Sequence, residues 1–232
     1  MTAILSNLQA TREAIARAAI AAHRNVTDVH LLAVSKTFPA EAVLEAYRAG
    51  QTAFGENYLQ EALAKIGALH ELPLEWHFIG PVQSNKTRAI AENFAWVHGV
   101  DRFKIAERLS AQRPPHLPAL NICLQVNVSG EDSKSGIAPK DVLALAQAVA
   151  PLPHLKLRGL MTIPSPATDE IAQREPYAQM RALLGQLNSQ DMTLDTLSMG
   201  MSHDFPAAIQ EGATIVRIGT AIFGSRDYGE NK

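Results

Sequence analysis

Cysteine is nearly missing: Cys123 stands alone among 232 residues. A lone thiol excludes an internal disulfide framework and any cysteine-cluster metal site, and it fits a reducing compartment. An excess of charge is missing too. Twenty-one Lys and Arg against 23 Asp and Glu leave −2, without the basic surplus that marks a nucleic-acid-binding face. Apolar runs stay short of the roughly 18 residues that a membrane span requires. The N-terminus has no basic stretch leading into a purely apolar one, so a signal peptide is not expected. His23, His30 and His116 lack metal-ligand spacing. Repeats and low-complexity tracts are absent, and the proline-rich spots at 113–118, 151–153 and 164–166 are too short to be interdomain linkers. These absences lead to the expectation of a cytoplasmic protein forming one domain over residues 1–232, with neither metal, nucleic acid nor membrane as a partner.

What is present is material for a core and a regular alternation. Hydrophobic residues make up 47% and charged residues 19%, which a disordered chain would not carry. The span 2–24 sets Ile4, Leu8, Ile15, Ala18, Ala19 and Ala22 at helical spacing. Candidate strands follow at 29–34, 52–54, 76–79, 95–98, 119–128, 156–161, 196–198 and 214–218. Helical patterns lie between them, at 39–50, 56–69, 85–93, 101–112, 139–150, 168–189 and 203–212. Pro39 opens the first of these as prolines open helices, and Gly50 closes it where a C-terminal cap belongs. Eight strands alternating with helices predict a parallel sheet, and at this length a (β/α)₈ barrel with an additional N-terminal helix. A doubly wound open sheet is the alternative.

In such a barrel chemistry sits at the C-terminal ends of the strands, and phosphate is commonly held by the loops after the seventh and eighth. Lys36 directly follows the first strand, in AVSKTFP (33–39). With Val34 two residues earlier on the same face, its amine is expected to point into the barrel mouth, where burial would make it a nucleophile toward a carbonyl. The competing reading is a surface lysine in a turn. At the other end, SMGMSHD (198–204) and VRIGTAIFG (216–224) follow the last two strands. Ser198, Gly200 and Ser202 lead into one helix, and Gly219 and Thr220 into another. Backbone amides at such starts, with small residues permitting close approach, form an anion site. Arg217 lies inside the last strand on the same face as Gly219, and a buried guanidinium needs a partner. The partner is either a carboxylate on the barrel floor or a ligand atom with a lone pair. A lysine, a phosphate cradle and a partner for a pyridine nitrogen together form the constellation that holds pyridoxal 5′-phosphate.

The chain closely resembles the pyridoxal phosphate homeostasis proteins over nearly its whole length. The resemblance runs through AVSKTFP (33–39), FGENYLQE (54–61), WHFIGPVQSNK (76–86), NVSGEDSKSG (127–136), RGLMTIP (158–164), LSMGMSHDF (197–205) and VRIGTAIFG (216–224). It implies a barrel like the N-terminal domain of bacterial alanine racemases, with pyridoxal 5′-phosphate held by Lys36 as a Schiff base. It implies as well a carrier that buffers the cofactor or delivers it to apo-enzymes, rather than a catalyst. Asn57, in GENY, resembles a family residue close to the cofactor; its other reading is a cap for the following helix. The expected cofactor set is therefore Lys36, Asn57, Ser198, Arg217, Gly219 and Thr220, with no catalytic residue. His77 reads as a satisfied core histidine, Lys134 as a solvated loop charge and Cys123 as a small core residue.

Two other functions fit part of this pattern. One is a pyridoxal-phosphate-dependent amino-acid racemase. The racemase family takes its second acid/base from a further domain, for which the dozen residues after Thr220 leave no room. A cation against the ring nitrogen also disfavours its protonation and weakens the ring as an electron sink. The other is a lysine-dependent aldolase acting on a phosphorylated substrate without any cofactor.

Overall fold

Short strands rich in β-branched and aromatic residues, each followed by a helix, can remove every free sheet edge only by pairing the last strand with the first. That closure is what forms. The computed structural model describes residues 2–131 and 134–225. In it β1 (His30–Val34), β2 (Ala53–Glu56), β3 (Glu75–Phe78), β4 (Trp96–Val100), β5 (Leu120–Gln125), β6 (Leu155–Met161), β7 (Thr196–Ser198) and β8 (Ile215–Ile218) make a closed barrel in chain order. Every pairing is parallel, and β1 meets β8 through Leu31↔Val216 and Ala33↔Ile218. The expected eight strands are all there, and the open-sheet alternative is excluded by the β1–β8 pairing. Asp132 and Ser133 of the 127–136 motif, together with Met1 and residues 226–232, lie outside the described residues.

The helices are α1 (Ala3–Ala21), α2 (Ala40–Arg48), α3 (Leu59–Ala68), α4 (Thr87–Asn93), α5 (Phe103–Gln112), α6 (Val142–Val149), α7 (Glu170–Asn188), α8 (Phe205–Gln210) and α9 (Thr220–Phe223). Two boundaries differ from the sequence reading for physical reasons. The run at 119–128 stops pairing as a strand after Gln125, because Val126 makes only an isolated bridge to Ile137. The helix expected from 56 starts at Leu59, since Glu56 still belongs to β2. Among the described residues no helix is long and apolar enough to cross a membrane.

Alternation along each strand divides the core in two. Ala33, Phe54, Phe78, Val97, Ile122, Leu160 and Val216 face the helices and form the larger cluster. Leu32, Val34, Ile79, Trp96, Cys123, Met161 and Ile215 form a smaller cluster within the barrel. α1 lies outside this pattern and joins the first and last units. Leu8, Ile15 and Ala19 are its buried face, Asn7 Nδ2 donates to Ile222 O at 3.0 Å, and Arg12 donates to Ala49 O and Gly50 O. Just beyond the helix, Arg24 donates to Ile209 O and Ala213 O.

Arg113 performs a comparable service between neighbouring units. It is 7% exposed and donates to Ala91 O at 2.6 Å, Phe94 O at 2.8 Å and Pro118 O at 2.9 Å. Arg113→Met keeps the aliphatic stem but leaves three carbonyls unpaired, and should cost about 2–4 kcal/mol in urea unfolding. A loss under about 1 kcal/mol would show that water replaces the guanidinium at no great cost.

Candidate functional site

The upper mouth of the barrel, where the strands end, is built on a buried ion pair. Ser35 and Glu56 close β1 and β2, and both are completely buried. Glu56 Oε1 accepts from Ser35 Oγ at 2.6 Å and from Lys65 Nζ at 2.7 Å, and Lys65 Nζ donates also to Ser35 O at 2.7 Å. Burial pushes the Glu56 carboxyl above the usual range, and the contacts with Lys65 and Ser35 oppose that rise. One helix side chain therefore fixes the ends of two strands, and the next residues along those strands are Lys36 and Asn57. Thr37 then adopts a left-handed φ of 70°, with its N–H donating to Glu61 Oε2, and turns the chain toward α2.

Asn57 is held from behind by Gly80. A Cβ on Gly80 would come within 2.5 Å of Asn57 O, so only glycine permits this approach. The α3 N-cap is Tyr58, without a side-chain cap bond, so Asn57 does not cap the helix. Its Oδ1 is buried and has no hydrogen-bond partner among the described residues.

Across the mouth, β7 ends at Ser198 and the chain turns at Gly200, whose φ is +91° and whose Cβ would meet Ala208 Cβ at 2.6 Å. That turn brings Met201, Ser202 and His203 back over the strand ends. Gly219 caps the short α9. The result is a cavity of about 190 Å³ in which Lys36, Asn57, Ser202, Arg217, Gly219 and Thr220 surround an apolar floor of Val34 and Ile79. Of the six residues read from the sequence, five line it.

The sixth, Ser198, does not. It is fully buried inside the barrel, where its Oγ accepts from Arg217 Nη1 at 2.8 Å and lies 2.8 Å from His98 Nδ1. As the last residue of β7, Ser198 still points inward, and the loop must pass Gly200 before a hydroxyl reaches the mouth. Arg217 donates in addition to Ser198 O at 2.6 Å and Thr162 O at 2.8 Å. Among the described residues these hydrogen-bond partners are hydroxyl and carbonyl oxygens, not a carboxylate, so a barrel-floor ion pair is not what holds it. Below Ser198 the line continues through His98 Nε2···His77 Nδ1 at 3.0 Å and His77 Nε2···Glu75 Oε1 at 2.9 Å. Burial lowers the pKa of His77, and lowers that of His98 well below the usual value, helped there by the neighbouring His77 and Arg217. His98 escaped the sequence reading, and the signal for it was a histidine at the centre of an otherwise apolar strand.

A larger cavity of about 1030 Å³ opens at the opposite mouth, among the first residues of the strands. No lysine lines it. Its central cation, Arg158, lies 4.7 Å over Trp96 and donates from both Nε and Nη2 to the carboxylate of Asp195. It lacks the amine that the upper mouth supplies. Lys134 donates to Ser165 Oγ at 2.8 Å, and Cys123 is buried with its thiol pushed up to about 12.

Comparison with known proteins finds relatives over nearly the whole chain. Residues 6–227 match the family model described as alanine racemase, N-terminal domain. The pyridoxal phosphate homeostasis protein of Pseudomonas aeruginosa is 63% identical, over 99% of this chain and 98% of that protein. The protein of the same name from Escherichia coli K12 is 52% identical, over 99% and 100%. PipY of Synechococcus elongatus, solved with PLP bound, superposes with a TM-score of 0.83 at 38% identity, over 95% of this chain and all of that one. Alanine racemase from Corynebacterium glutamicum, 18% identical with a TM-score of 0.67, shares the fold over 99% of this chain and 63% of its own length.

Two stability measurements follow from these contacts. Glu56→Ala leaves the Lys65 ammonium buried without its counter-ion and should cost about 3–5 kcal/mol, whereas Glu56→Ala with Lys65→Met should recover part of it. A double variant as unstable as the single one would show that the cost comes from the lost Glu56 contacts and not from a stranded ammonium. The buried neutral His77 and His98 have folded pKa values below their unfolded ones. Their contribution is thus fully present above the ordinary histidine value of 6.5 and lost as pH falls below it. Urea midpoints should decline from pH 7 toward 5, at up to about 1.4 kcal/mol per pH unit for each ring. A flat profile would rule out two neutral buried imidazoles.

Proposed function

The chain belongs to the alanine racemase N-terminal-domain family, and within it to the pyridoxal phosphate homeostasis proteins, and on that premise we propose how its upper mouth holds the cofactor. The protein binds pyridoxal 5′-phosphate and maintains its supply. One cavity that combines a strand-end lysine, a buried arginine and two small-residue loops carries this reading. The donor set fits the cofactor's three handles. Lys36 condenses with the aldehyde and releases water. Ser202, Gly219 and Thr220 take the phosphate, Ser202 serving in the place first read for Ser198. Arg217 donates to the pyridine nitrogen. The unpartnered buried Oδ1 of Asn57 offers an acceptor for a polar ring substituent.

When bound, the cofactor supplies a reactive carbonyl conjugated to an electron-withdrawing ring. Arg217 limits the second property, because a cation at the nitrogen opposes its protonation. Thr220 is exposed and Lys36 only half-buried, so water and amines reach the linkage. Exchange is favoured over a sequestered reaction. We therefore assign the chain, over residues 1–232, the role of a cytoplasmic carrier that loads and unloads pyridoxal phosphate without turnover, its recipients being apo-enzymes that use the cofactor.

Borohydride treatment of the loaded protein should fix the cofactor on Lys36, and Lys36→Ala should lose the trapped adduct; peptide mapping that finds it on another lysine overturns the assignment. Ser202→Ala and Thr220→Val should each weaken pyridoxal 5′-phosphate by about 1–2 kcal/mol while leaving phosphate-free pyridoxal unchanged. Robust racemisation of alanine or another common amino acid by the wild type would replace the carrier reading with the racemase one.

A further inference from the structure

Inside the barrel, a line of polar side chains runs from the half-exposed Glu75 through buried His77, His98 and Ser198 to Arg217 at the cofactor cavity. Glu75 and His77 line the lower cavity and Arg217 lines the upper one, with His98 and Ser198 between them. Four elements contribute: β3, β4, β7 and β8. The contacts measure 2.9, 3.0, 2.8 and 2.8 Å from Glu75 to Arg217. We propose that Glu75, His77, His98 and Ser198 form one directed hydrogen-bond chain that positions Arg217 and fixes it as a donor toward the ring nitrogen of the bound cofactor.

The direction follows from the ends. A carboxylate only accepts, so His77 Nε2 carries the proton that faces Glu75. Buried and neutral, His77 then accepts at Nδ1, and the facing Nε2 of His98 is the donor. His98 in turn accepts at Nδ1, which leaves the Ser198 hydroxyl to donate to it. The Ser198 oxygen has its lone pairs left for Arg217, which only donates. A carboxylate at one end and a guanidinium at the other allow a single arrangement of protons. Each bond polarises the next, so the hydroxyl that receives Arg217 is a better acceptor than an isolated serine.

The surroundings keep the ends charged. The contact from His77 holds Glu75 below the usual range; the Trp96 indole and Arg158 add to this, and Asp195 pairs Arg158. His77 stacks on Trp96 at 5.4 Å with an interplanar angle of 5°, which limits ring rotation. Besides Ser198 and Thr162, Arg217 is influenced by Tyr177, Asp204 and the Cys123 thiol. The lower mouth thereby sets the donor that the upper mouth presents. Ser198 acts through Arg217, as do the two histidines; they are positioning residues.

The inference rests on the cofactor reading above, and its test separates the two. In cofactor-free protein, nitrogen NMR of labelled histidine should find His77 and His98 as neutral Nε2–H tautomers at about pH 8, titrating only below the ordinary imidazole range. Glu75 lies at the start of β3, and its side chain is 50% exposed, so its substitution spares the fold. Glu75→Ala should release the tautomers to a mixture. In loaded protein it should weaken pyridoxal 5′-phosphate about threefold to tenfold, the worth of one hydrogen bond, and shift the pH dependence of the visible absorption band. Glu75→Gln keeps an acceptor oxygen and should restore most of both, whereas Ser198→Ala should reproduce the loss with Glu75 intact. An Nδ1–H tautomer at either histidine in the wild type overturns the chain. So does wild-type affinity and an unchanged band in both Glu75→Ala and Ser198→Ala. A wild type that fails to bind the cofactor overturns the parent reading and this one together, and is told apart by the histidine spectra of the cofactor-free protein.

Discussion

A guanidinium that cannot shed its proton stands inside a closed barrel, and the interior is arranged around it. Arg217 is 4% exposed. The desolvation of a permanent charge is tolerable only where its N–H groups find acceptors. Ser198 and Thr162 supply those oxygens from the ends of β7 and β6, which limits how far either strand can shift against β8. The inner cluster of Leu32, Val34, Ile79, Trp96, Cys123, Met161 and Ile215 fills the rest of the space. A barrel that carried only apolar residues here could be as stable, but it would have nothing to offer a heteroaromatic nitrogen.

The two mouths of the barrel divide structure from chemistry. At the lower one the charges are tied to one another, with Arg158 held by Asp195 and laid over Trp96. At the upper one the protein concentrates conformational expense: a left-handed threonine after Lys36, a glycine turn before Ser202, and a buried Glu56–Lys65 pair behind both strand ends. Such features persist only where the surrounding packing enforces them. Lys65 also shows how one lysine can be kept from chemistry while another is offered to it. Its amine is held by Glu56 and the Ser35 carbonyl, below the surface that an aldehyde can reach.

Much of this was readable from the sequence, and the part that was not has a physical reason. Strands such as 29–34 and 214–218 are short, apolar and bounded by turn residues, so their existence was plain even though β5 ended earlier than the 119–128 run implied. Lys36, Gly219 and Thr220 could be placed because the rule for strand ends is positional. Ser198 could not, because a shift of one or two residues decides whether a hydroxyl faces the barrel interior or its mouth, and only the backbone at Gly200 settles that. Asn57 was open between cap and ligand; Tyr58 takes the capping position and Asn57 lines the upper cavity. His77 read correctly as a satisfied core histidine. What it is satisfied by could not be foreseen, since His98 is 21 residues away and Ser198 a further 100.

The N-terminal helix has a consequence for how the chain reaches this state. Its side chains are completed by Ile222, 215 residues downstream of Asn7, and Arg24 just beyond it by Ala213. A polypeptide leaving the ribosome therefore presents this helix some 215 residues before Ile222, and its apolar face waits for that partner to be covered. Contacts of such separation are entropically late and slow to form. For that interval Leu8, Ile15 and Ala19 are open to other hydrophobic surfaces, and the nascent chain is in greatest need of a chaperone before its last βα unit emerges.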